Sequence, residues 1–82
     1  MEFEDIVKII NYQIFVVAEK IENEDGYLNV NLLLAGIAFS STSLLKSASF
    51  GDEKAFFNSV DDFCDVIKSM AEIFIEENKK RN

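Results

Sequence analysis

The sequence contains no histidine, no tryptophan and no proline, and it has a single cysteine, Cys64. Without histidine, the chain lacks the side chain that most often carries protons near neutral pH. Without proline, no helix interior is interrupted. One cysteine cannot form a disulfide within the chain, which favours a reducing compartment. The first five residues are acidic where a secretory signal is basic, so we expect a cytoplasmic protein.

Basic residues are scarce as well. Eight Lys and Arg stand against 15 Asp and Glu, which gives a formal net charge of −7 at pH 7 and a pI of about 4.4. Because phosphate contacts need Lys and Arg, this balance argues against direct binding of nucleic acid, and equally against an anionic membrane surface. It suits a basic protein partner, including one whose nucleic-acid groove could be filled by carboxylates.

Apolar residues are abundant for so short a chain. They make up 49% of the 82 residues and include eight phenylalanines. A chain of this length forms one domain, residues 1–82, and buries only about 60–65% of the surface that its unfolded form exposes. A single copy cannot easily bury all of these apolar side chains, so we expect a homo-oligomer, which would be a dimer or larger.

Two regular series of apolar residues predict two amphipathic helices, at about residues 2–24 and 52–79. Both series step by four and three residues in turn, as positions a and d of a heptad do. A break near Asn58 and Ser59 is the alternative, but the second series continues through Val60 without losing register. We call the two series the first ladder (Phe3, Val7, Ile10, Ile14, Val17, Ile21) and the second ladder (Phe56, Val60, Phe63, Ile67, Met70, Phe74).

The middle segment, about residues 30–49, predicts a third helix. Residues 32–39 are apolar on every face, which is typical of a helix surrounded by protein. Gly36 would cost such a helix about 1 kcal/mol relative to Ala, so we expect another backbone to approach it closely. A strand is less favoured, because the segment lacks alternation. A membrane span is a further alternative, since residues 26–45 carry no charge, but their Asn, Ser and Thr content favours a bundle helix.

The turns between these segments predict how the helices start and stop. Gly26 suits a left-handed C-cap, and Asn29 or Asn31 can cap the second helix. Gly51 can end the second helix and Asp52 can cap the third. Because these connections are short, we predict an all-α, three-helix antiparallel bundle, completed by homo-oligomerisation.

Further apolar residues border the two ladders and predict where protomers meet. A three-helix domain cannot easily cover them together with the ladders. The predicted oligomer interface consists of Ile6, Ile9, Val16, Val66, Ile73 and Ile75.

Carboxylates form the most distinctive polar feature of the third helix. The string Asp61-Asp62-Phe63-Cys64-Asp65 is similar to the one with which isoprenoid synthases hold magnesium. Those enzymes need a large helical cavity that 82 residues cannot build, so a solvated face opposite the second ladder is favoured. Cys64, beside that ladder, is expected to be a half-buried thiol. The acidic surface predicted to bind a basic partner comprises Asp61, Asp62, Asp65, Glu72 and Glu76.

No catalytic, cofactor-binding or metal-binding motif stands out, so we do not expect an enzyme. The sequence favours a small acidic helical protein that acts by protein–protein interaction. In kind it resembles the inhibitors, antitoxins and immunity proteins of phages and mobile elements. The alternatives are a structural homo-oligomer and a small-ligand sponge that holds a nucleotide between protomers.

Overall fold

The computed structural model describes residues 1–81, with the side chains of residues 1–80, and this part of the chain is all-helical. Three helices are present: α1 (Phe3–Asp25), α2 (Val30–Ala48) and α3 (Glu53–Arg81). The prediction of an all-α chain with three helices is confirmed, and the strand alternative for residues 32–39 is wrong. Each helix boundary differs from its predicted position by at most two residues.

The end of α1 has the left-handed cap that its sequence predicts. Gly26 adopts φ of 82°, and its N–H donates to the carbonyl oxygen of Glu22 at 2.8 Å. This φ is accessible to glycine without the steric cost of a Cβ atom. The cap therefore stops α1 and turns the chain towards α2.

Side-chain caps start the other two helices. Of the two candidate asparagines, Asn29 is the cap of α2, because its Oδ1 accepts from the N–H of Leu32 at 3.1 Å. Asp52 caps α3 in the same way, through a 3.1 Å bond from the N–H of Ala55 to its Oδ1. Each cap satisfies one of the donors that a helix start leaves free.

The turn between α2 and α3 is tighter than its sequence suggests. Phe50 and Gly51 both adopt left-handed backbone conformations, with φ of 51° and 83°. Just before them, the Ser49 Oγ donates to the Leu45 carbonyl oxygen at 2.8 Å, and Ser49 is the one buried residue among those described. Beyond the turn, α3 runs without interruption through Asn58 and Ser59.

The chain divides into two compact units, Met1–Phe39 and Ser40–Asn82, and the division falls inside α2. In the first unit, the half-buried residues lie on the later part of α1, at the cap of α2 and on the early part of α2: Ile14, Ala18, Ile21, Asn29, Leu33 and Ile37. They lie on both sides of the α1–α2 turn. The predicted single domain stays a prediction.

The second unit repeats this arrangement around the α2–α3 turn. Its half-buried residues are Ser41 and Leu45 on α2 and Ala55, Phe56, Ser59 and Val60 on α3. The Phe56 and Phe57 rings lie 5.5 Å apart, within the usual range for paired aromatic side chains. Along α2, the half-buried residues Leu33, Ile37, Ser41 and Leu45 recur every four positions, and buried Ser49 follows at the same interval just after the helix ends.

No apolar side chain is buried within the described part of the chain. The expectation that residues 32–39 are surrounded by protein is wrong for the single chain, since Leu32, Leu34 and Phe39 are exposed. The expected close approach to Gly36 is also wrong, because a Cβ atom there would meet nothing within 4 Å. The bundle arrangement therefore stays a prediction.

Candidate interaction surfaces

The two ladders are covered only beside the turns. Four of their twelve residues are half-buried: Ile14 and Ile21 in the first ladder, and Phe56 and Val60 in the second. The other eight are exposed: Phe3, Val7, Ile10, Val17, Phe63, Ile67, Met70 and Phe74. The ladders were expected to form the inward seam, but in the single chain most of that seam faces solvent.

The predicted oligomer interface is exposed at every position. Three of its residues lie on α1 and three on α3, and between 40% and 59% of each residue is accessible (Ile6, Ile9, Val16, Val66, Ile73, Ile75). On α3, Val66 and Ile73 border one side of the second ladder, while Ile75 lies towards the other side. The structure thus leaves all six free to bind a partner, and their role in oligomerisation stays a prediction.

The acidic surface lies on the opposite side of α3 from the second ladder. All five of its carboxylates are exposed, and they extend over about 22 Å of helix, at 1.5 Å per residue. Lys68 lies among them and lowers the local excess of negative charge. Glu76 lies 3.8 Å from the Nζ of Lys79, an exposed pair that constrains its carboxylate little.

These carboxylates do not converge. Among the described residues, no group of three or more His, Cys, Asp or Glu side chains is arranged to hold a metal ion. Cys64 is exposed, so the expectation of a half-buried thiol is wrong. Its neighbours on α3 include no histidine, since the sequence has none. What this part of α3 presents is a charged face and an apolar face on one helix.

An open depression lies at the α2–α3 turn. Lys46, Ser49, Asp52 and Phe56 are among the residues that line it. Two carboxylate residues and one lysine line it, and the hydroxyl group of Ser49 is already bonded to the Leu45 carbonyl oxygen. This depression gives no reason to assign a reaction.

The apolar character of α2 remains visible in the structure. By length and composition alone, this helix of 19 residues with a mean hydropathy of 1.2 could cross a membrane, and it is the one such helix in the described residues. A core helix of a soluble protein has the same composition. The helix therefore fits either the predicted bundle or the membrane alternative.

Sequence reasoning missed one feature of these surfaces, the uncovered outer part of the second ladder. The signal that could have found it was helix length, because the third predicted helix is longer than the second. Comparisons with known proteins add no relative: no protein-family model, curated protein or solved structure matches the chain. The surfaces are therefore interpreted from their own chemistry.

Proposed function

We propose that this chain is a small binding protein that acts by occupying a basic protein partner through the acidic surface of α3. Partners of this kind include nucleases and other nucleic-acid-binding proteins. In that role it would resemble the small acidic inhibitors, antitoxins and immunity proteins of phages and mobile elements. The observation that carries the proposal is the exposure of all five carboxylates along one face of one continuous helix.

Electrostatics supports a basic partner. The net charge of −7 attracts positively charged proteins and raises their association rate, an effect that salt weakens. A row of carboxylates about 22 Å long also offers hydrogen-bond acceptors to the Lys and Arg side chains that otherwise bind phosphates. A nucleic-acid-binding groove has the complementary pattern, because it is lined with donors along one direction.

The test is affinity capture with the tagged wild-type chain, followed by titration of the captured protein at two salt concentrations. The variant D61K/D62K/D65K reverses three charges within the acidic surface. The matched control E19K/E22K/E24K makes the same change in charge on exposed positions of α1. Lysines near the end of α1 also suit the helix dipole, so the control should fold normally.

We expect the captured partner to be basic and to lose at least about tenfold in affinity for the α3 variant, while the α1 variant binds nearly as well as the wild type. Equal weakening by both variants would show that only net charge matters and would overturn the assignment to α3. Capture of no partner under low-salt conditions would reject the binding function itself.

A further inference from the structure

We propose that the exposed part of the second ladder is a self-association surface, on which α3 of a second copy of this chain packs in the antiparallel direction. The surface consists of Phe63, Ile67, Met70 and Phe74, flanked by Cys64, Val66, Ala71 and Ile73. This interface goes beyond the proposed function, because it uses the face of α3 opposite the acidic surface and can be tested without any other partner.

This part of α3 has no cover of its own. Every described side chain from Asp61 onwards is exposed, including Ile67 and Phe74 at 53% and 69%. Most helical stability in proteins comes from packing an apolar face and not from helix propensity. We therefore infer that another helix packs on the apolar face of α3 from Asp61 onwards.

The chain's own α2 is too short to cover the whole of this part of α3. With 29 residues against 19, α3 is ten residues longer than α2, or about 15 Å. Even an α2 packed antiparallel along α3 from the turn would end near residue 71 of α3. Ile73 and Phe74 lie beyond that point, so α2 cannot cover them.

The placement of charge on α3 favours a second copy as the molecule that covers this surface. From Asp61 to Glu76, every charged residue lies on the face away from the second ladder, and the four flanking residues are uncharged. Two chains with a net charge of −7 repel each other, but no like charges would meet in this contact. A basic partner would instead need carboxylates beside the apolar seam, where this helix has none.

The four exposed ladder residues are complementary to a second copy of themselves in the antiparallel direction. Their steps of four, three and four residues are the same when read backwards. We place Ile67 opposite the partner's Met70, which brings Phe63 opposite the partner's Phe74. The two-fold symmetry of the dimer then repeats both pairs, with Met70 opposite the partner's Ile67 and Phe74 opposite the partner's Phe63. An isologous contact of this kind forms a closed dimer, which is the commonest oligomer.

The exposed surface is also large enough for a stable dimer. The chain exposes 7300 Å². Obligate homodimers bury about 2000–5000 Å² in total, or about 1000–2500 Å² on each chain, so each chain has the area that such a contact needs.

The first experiment measures mass in solution by light scattering over about 1 to 100 μM protein, together with helix content by circular dichroism. We expect the wild-type chain to show twice the 9.3 kDa of one chain. The variant I73D should weaken dimerisation at least about 100-fold, because it places a charge in the apolar contact. The matched control S69D adds the same charge on the far face of α3 and should remain dimeric.

A monomeric wild type at 100 μM, or an I73D variant as dimeric as the wild type, would overturn the proposal. Loss of the dimer in S69D would also contradict it, because that position lies outside the contact.

The second experiment tests the pairing direction without risking the fold. In the antiparallel register, Cys64 lies beside the partner's Ala71, so A71C should give disulfide-linked dimers under mild oxidation. The wild type should not, since the two Cys64 residues would be about 13 Å apart along the helix axes, too far for a disulfide. Within one chain, residues 64 and 71 are about 10 Å apart and cannot bridge. A dimeric A71C variant that does not cross-link would reject this register.

Discussion

The first eight residues of α3 and the rest of the helix share one apolar ladder but differ in their cover. Phe56 and Val60 are half-buried beside the α2–α3 turn, whereas Phe63, Ile67, Met70 and Phe74 are exposed. The periodicity is the same in both parts, so periodicity marks the apolar side of a helix without showing what covers it. Cover depends on which other segment lies alongside.

The turn explains why the early part is covered. Asp52 and the left-handed pair Phe50 and Gly51 reverse the chain within four residues, which brings the end of α2 against the start of α3. Leu45 and Phe56 are consequently both half-buried. Further along α3 this constraint weakens, because each turn of helix carries the side chains about 5.4 Å away from the connection.

The largest expected effect tests the difference between the two parts of α3 directly. Phe56→Ala should lower the free energy of unfolding by about 2 kcal/mol, roughly half the loss for a fully buried Phe. Phe74→Ala should instead reduce the dependence of the melting temperature on protein concentration, because the proposed dimer covers Phe74 with a second copy. Urea unfolding and thermal melts at several concentrations, followed by circular dichroism, measure both effects. If both variants lost the same free energy of unfolding at every protein concentration, the two parts of α3 would not differ in what covers them.

A smaller effect is expected at the cap that starts the covered part. Asp52→Ala removes the acceptor of the Ala55 N–H and should cost about 1 kcal/mol in urea unfolding. The control Asp62→Ala removes an exposed carboxylate from the interior of α3 and should stay within about 0.5 kcal/mol of the wild type. A loss for Asp62→Ala as large as that for Asp52→Ala would show that charge, and not capping, sets the stability of this end.

The smallest effect is a gain in the turn itself. Phe50 is 95% exposed and adopts φ of 51°, which is unfavourable for a residue with a Cβ atom. Phe50→Gly removes that strain of about 1 kcal/mol and adds entropy to the unfolded chain, so the net stabilisation should be about 0.5 kcal/mol. Phe50→Ala removes the same ring but keeps the Cβ atom, and it should show no gain. A gain in Phe50→Ala would point to the exposed ring as the cause instead of the backbone.

Much of the secondary structure was predictable from local patterns. Gly26 at a left-handed cap, Asp52 at an N-cap and the unbroken ladder through Val60 each involve residues within one or two helical turns, so local sequence contains the relevant interactions. The choice of Asn29 over Asn31 was not predictable, because both satisfy the same capping requirement. The strain at Phe50 was missed, since Gly51 alone accounts for a turn at that place.

The candidate surfaces were predictable in part. The acidic surface follows from helical spacing, and its exposure agrees with the charge of its residues. The environments of Cys64 and Gly36 were predicted wrongly, because both predictions assumed neighbours from another segment. Those neighbours depend on contacts between residues far apart in the chain, which local pattern does not contain.

The sequence by itself determined three helices, their caps and the apolar and acidic sides of α3, because each depends on residues within a few turns of one another. Tertiary structure alone decided how far each ladder is covered. Phe56 and Val60 lie close to the α2–α3 turn and are half-buried, whereas Phe63, Ile67, Met70 and Phe74 are exposed, because each further turn of α3 carries its side chains about 5.4 Å away from that connection.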